Sequence, residues 1–103
     1  MNKVIRNGMV AVLVSPGYEA GWYSWNKDHP ECLFDPAVVA WVEGGKQGPC
    51  PDMEELHGWD DFYDGGYDGL RIEWIPVGTA FRIEEYDGSE RLVTKDTYGW
   101  QVA

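Results

Sequence analysis

A chain of 103 residues with 44% hydrophobic residues has the size and composition of one globular domain spanning 1–103, with no linker or low-complexity tract to divide it. Its net charge of −10 is lopsided: residues 1–50 hold five acidic and four basic side chains, and residues 51–103 hold thirteen acidic and four basic ones. A field of that sign repels nucleic acid and anionic membranes, and no apolar run approaches the roughly 18 residues of a membrane span.

The opening MNKVIRNG carries no apolar run of signal-peptide length. Cys32 and Cys50 show neither metal-ligand nor C-x-x-C spacing. Together these predict a cytoplasmic chain with two free thiols, a single bridge being the alternative. Met9–Val14 is apolar on both alternating faces and rich in β-branched residues, which predicts a central strand covered on both sides. Ser15-Pro16-Gly17 ends it, and residues 17–26 (GYEAGWYSWN) follow no period, so they read as an irregular loop packed by its aromatic rings.

Asp35-Pro36 has the form of a helix start, with Asp as N-cap and Pro at the first helical position, and Gly44-Gly45 supplies the stop. Val38, Trp41 and Val42 then fall on one face. Residues 46–51 are a turn-rich link, 52–63 predict one or two helical turns broken at Gly58, and 64–69 a loop. In the last third, Leu70, Ile72 and Trp74 alternate with Arg71 and Glu73, and Phe81 and Ile83 alternate with Arg82 and Glu84. These predict two strands joined by Pro76-Val77-Gly78, with the four charged residues paired across them on an outer face. Asp87-Gly88 predicts a tight turn into a strand over 91–94, and Tyr98–Val102 a final edge strand. The expected fold is α+β: a small mixed or antiparallel sheet of three to five strands with one or two short helices packed on it.

Two stretches, VSPGYEAGWYSWN (14–26) with LFDP (33–36), and IPVGTAFRIEEYDGSE (75–90), resemble a family of small, functionally uncharacterised proteins of bacteriophages and prophages. The resemblance implies an accessory protein working in a bacterial cytoplasm, and it brings no activity or site residues with it.

Two segments have the residue types of a binding surface. In the 17–26 loop, Gly17 and Gly21 permit close backbone approach, Tyr18, Trp22, Tyr23 and Trp25 can stack on a planar group, and Glu19 and Asn26 can read its polar edges. The opposing structural reading is that these rings plug one end of the sheet. A phosphorylated ligand would further need Lys27, Arg71 or Arg82 to converge on the loop against the negative background. In the second segment, Asp52, Glu54, Glu55, Asp60, Asp61, Asp64 and Asp68 can imitate a phosphate backbone, with Trp59, Phe62, Tyr63 and Tyr67 as interface anchors. The same acids can equally form a solvated face, and their spacing departs from a calcium loop.

No nucleophile sits at a recognised spacing from His29 or His57, and no glycine-rich stretch has the context of a phosphate-binding loop. The residues therefore predict a non-enzymatic protein without metal or cofactor, acting by stoichiometric binding and counteracting host defence. It captures a small planar, nucleotide-like molecule through loop 17–26. The alternative is an acidic inhibitor that docks residues 52–68 on a basic host protein.

Overall fold

The alternation in Met9–Val14 organises the fold. In the computed structural model, which describes residues 3–94, this segment is strand β2, the middle strand of an antiparallel sheet. Ile5–Arg6 forms β1 on one side of it, reached through Asn7 and Gly8, both at positive φ as a two-residue hairpin turn requires. Arg71–Pro76 forms β3 on the other side, in register from Val14 opposite Arg71 to Met9 opposite Pro76.

Ala11 and Leu13 point to one face, into a core with Trp22, Cys32, Val38, Val39, Met53, Tyr67 and Leu70. Val10, Val12 and Val14 point to the other, into a core with Leu33, Ile75 and Leu92. Val12, Leu13 and Val14 are fully buried, each contributing about 1.5–3 kcal/mol of transfer free energy.

The helices lie on the first face. Asp35 Oδ1 accepts from the backbone N–H groups of Ala37 and Val38, starting helix α1 at Pro36–Glu43. Val38 and Val39 are its most buried residues, with Trp41 and Val42 half-buried beside them. Asp52 caps helix α2, Met53–His57, in the same way, and Gly58 at φ 75° ends it in the left-handed conformation. Tyr67 is buried within a short 3-10 turn, Tyr67–Gly69, and burial raises the pKa of its phenol.

The second face is covered by a hairpin of β4, Phe81–Tyr86, and β5, Ser89–Thr94, turned by Asp87 and Gly88 at φ 48° and 84°. The fold is α+β, as composition and pattern predict, but its strands form two separate antiparallel sheets of three and two. β3 does not pair with β4. The turn after β3 bonds back to the β1–β2 turn, Val77 N–H donating to Gly8 O at 2.9 Å, and β4 then packs on the second face of the sheet, where it pairs with β5. The ion pairs expected between those two strands are instead formed within β3 and within the β4–β5 hairpin. Arg71 meets Glu73 at 3.8 Å within β3, Arg82 meets Glu84 at 3.0 Å within β4, and Glu84 is also reached by Arg91 of β5 at 2.5 Å. Arg71 and Glu73 moreover share the face of the buried Ile75, so Glu73 is half-buried where an outer position was expected. The edge strand expected at Tyr98–Val102 lies outside the described residues.

The hairpin turn is held by the 15–24 segment. Glu19 and Gly21 N–H donate to Asp87 and Gly88 O, both at 2.7 Å, and Ser89 Oγ donates to Pro16 O at 2.6 Å. A Cβ at Gly88 would lie 2.7 Å from the backbone of Glu19, so this close approach requires glycine. Glu90, only 2% exposed, completes the clamp. Its backbone N–H donates to Ser15 O at 2.9 Å, and its carboxylate accepts from Ser15 N–H at 3.1 Å and Ser24 N–H at 2.7 Å.

Candidate functional site

The 17–26 loop does not present its rings to one ligand. Trp22 is 0% exposed, edge-on to Phe62 at 4.9 Å, with Nε1–H donating to Cys32 O at 2.9 Å. Asn26 is 5% exposed and its amide is fully used: Nδ2 donates to Trp22 O and Tyr63 O, and Oδ1 accepts from Tyr63 N–H. Tyr18 stands 70% exposed, Glu19 is exposed beside it, and Trp25 is 43% exposed with its ring over Gly21. Tyr23 is half-buried and lines a cavity of about 300 Å³ with Lys27, Leu33, Phe81, Arg82 and Ile83, without Tyr18, Glu19 or Trp25. Two of the three cations considered for an anionic ligand thus line one cavity, beside one of the loop's four rings.

The acidic segment is surface. Glu54, Glu55, Asp60, Asp64 and Asp68 are exposed, and among the described residues Glu54, Glu55, Asp60 and Asp64 form no ion pair. Asp52 is exposed too, but one of its oxygens holds the start of α2. Its aromatic members divide. Tyr67 is core and Trp59 and Phe62 are half-buried, whereas Tyr63 is 40% exposed and bridges to the loop through its hydroxyl, which donates to Glu19 O at 2.9 Å. Through Trp25–Tyr63 and Tyr63–Glu19 the exposed parts of the two candidate segments adjoin, and Asn26–Tyr63 and Trp22–Phe62 tie the segments together beneath that surface.

Beside α2 that surface is indented by a groove of about 290 Å³, walled by Met53, Trp59, Phe62 and Tyr67 and rimmed by Asp52, Glu54, Asp60 and Asp64. Trp59, Phe62 and Tyr67 are among the anchors expected from the sequence, but the two histidines that hold Trp59 in place are not. His29 and His57 each stack on Trp59, at 4.4 Å and 17° and at 4.3 Å and 20°. Two rings that close on one face would touch each other. The described residues contain no His29–His57 contact, so the histidines cover opposite faces of the indole. Each imidazole is tied by its Nε2–H to a carboxylate, His29 to Asp61 at 2.7 Å and His57 to the buried Asp35 at 2.5 Å. Asp35 therefore serves both α1 and this stack. The only sequence signal was the presence of two histidines near acids, which is common in so acidic a chain.

His29 holds the Asp61 carboxyl below its ordinary pKa, chiefly through their hydrogen bond. A depressed carboxylate pKa stabilises the fold above the unfolded value of 3.8, and that contribution is lost as pH falls through the folded pKa. A carbon-detected NMR titration should place the Asp61 midpoint below 3.8, and His29→Ala should return it upward; an unmoved midpoint would remove the interaction.

Chemically, each Asp–His pair is the base-and-orienter half of a nucleophilic site. Among the described residues no hydroxyl or thiol hydrogen-bonds either ring. Cys32 and Cys50 are free thiols; Cys32 is buried, and desolvation, reinforced by Glu90, Glu31 and Asp35, raises its pKa away from the nucleophilic form. Among the described residues no three His, Cys, Asp or Glu side chains converge as metal ligands, and no helix is long and apolar enough to cross a membrane. The site thus belongs to a small α+β protein with an acidic, aromatic-walled surface. No family model matches the chain, and no curated protein or solved structure is similar to it.

Proposed function

We propose that this protein acts by stoichiometric binding, docking the exposed acidic surface of residues 52–68 on a basic protein. The observation that carries this reading is a set of four exposed carboxylates without cationic partners among the described residues: Glu54, Asp60 and Asp64 at the mouth of an aromatic-walled groove, and Glu55 beside it on α2. Such a field steers a basic partner and disfavours wrong ones. In the bacterial cell that the phage-family resemblance implies, the partner is a host protein with a basic cleft, and its occupation by carboxylates excludes nucleic acid.

The test compares the protein with a Glu54→Gln, Glu55→Gln, Asp60→Asn, Asp64→Asn variant as bait for host proteins, across a salt series. A basic protein retained by the native surface should be lost by the variant, and lost from both as the Debye length contracts from ~8 Å at physiological ionic strength to ~3 Å at 1 M. Equal retention by both baits at all salt concentrations would sink the proposal.

A second reading is favoured by the cavity where Tyr23 meets Lys27 and Arg82. There a small planar anion would stack on Tyr23 or Phe81 and place its charge between the two cations, although Arg82 already pairs with Glu84. Calorimetric titration with nucleoside monophosphates should then give heat that Lys27→Ala abolishes. Absence of heat at millimolar concentrations would discard it.

A further inference from the structure

The groove beside α2 has a base unlike its rim. Met53 and Tyr67 are buried and Phe62 half-buried, so the base is apolar, whereas Glu54, Asp60 and Asp64 stand exposed at the mouth. At about 290 Å³ it lies at the lower limit of the ~300–1,000 Å³ typical of small-molecule sites, which suits one inserted side chain better than a cofactor.

The charge selects the occupant. An anion is repelled by the rim, and a neutral apolar side chain would desolvate carboxylates without pairing them, which costs free energy. A cation satisfies both parts of the groove. Because His29 and His57 cover both faces of Trp59, that indole offers only its edge, and the usual stacking of a cation on its π-face is unavailable. Attraction must come from the carboxylates, and the apolar base must accept the cation's own flat, weakly hydrated surface. Guanidinium has that surface and a fork of donors that can engage two carboxylates together. Lysine's ammonium is compact and keeps its water.

We infer that the groove receives one arginine side chain of the partner, with Asp60 and Asp64 pairing its guanidinium over Met53, Phe62 and Tyr67. The inference rests on the docking reading above and specifies its anchor.

It is tested by NMR titration of the full chain with N-acetyl-arginine amide and N-acetyl-lysine amide. The protein is compared with two double variants of equal charge change, Asp60→Asn/Asp64→Asn in the groove and Glu55→Gln/Asp68→Asn outside it. All four positions are exposed, so both variants should keep the fold. The arginine derivative should shift the Met53 methyl and Phe62 ring signals saturably and bind on the order of five- to tenfold tighter than the lysine one. The groove variant should weaken it about tenfold and the outer variant less than about twofold. Equal affinities for the two amides, or equal losses in the two variants, overturn the arginine anchor. If a tetra-arginine peptide still binds in a salt-sensitive way, the docking surface itself survives that result. If tetra-arginine does not bind at low salt, both readings fall.

Discussion

Trp22→Ala should cost the domain about 3–5 kcal/mol, the range for truncating a fully buried aromatic residue. The indole fills the core between Leu13, Val38 and Tyr67, and its ring N–H satisfies Cys32 O, so the substitution leaves both a cavity and an unpaired carbonyl. Domains of this size hold only about 5–15 kcal/mol in total, and ~1 kcal/mol moves the melting temperature by about 4–8 °C. Thermal denaturation should therefore fall by tens of degrees, to the point of unfolding at room temperature. Trp25→Ala, in the same loop but 43% exposed, should cost about 1 kcal/mol. If the two variants melt alike, the loop is not divided into core and surface as described.

Glu90→Ala should be nearly as damaging. The carboxylate is the shared acceptor for the backbone N–H groups of Ser15, which is fully buried, and Ser24. Removing it leaves two donors unsatisfied at about 1–3 kcal/mol each, for a total on the order of 2–6 kcal/mol. Glu90→Gln should recover only part of this loss, because its single acceptor oxygen serves one N–H while its amide presents a donor to the other. Urea unfolding should show a lower midpoint with little change in slope. A loss below about 1 kcal/mol would mean that water replaces the carboxylate and that the hairpin is held by its backbone bonds alone.

Both residues show where reading the chain stops. Trp22 was placed among ligand-stacking rings because its composition and its glycine neighbours suit either role, and nothing local separates a plug from a pocket. Glu90 lies just before the strand expected over 91–94, whereas in the structure β5 begins at Ser89 and Glu90 faces inward with Leu92. Its partners, Ser15 and Ser24, lie 75 and 66 residues away, and no pattern within β5 points to them. Asp35 was legible as a cap because a cap is settled within three residues; its second oxygen, on His57, was not.

By itself, then, the amino-acid sequence determined β2, both helix starts, the glycine stops, the Asp87-Gly88 turn and the acidity of 52–68, because periodicity, capping and φ preference act over a few residues. Only the tertiary structure decided that β3 pairs with β2 and not with β4, that both histidines enclose Trp59, and that the 17–26 loop and the acidic segment are joined through Asn26 and Tyr63. Those outcomes depend on which apolar faces meet across long stretches of chain, and burial is non-directional: it rewards contact without naming the partner. The two candidate surfaces are distinct stretches of sequence whose exposed parts adjoin in space.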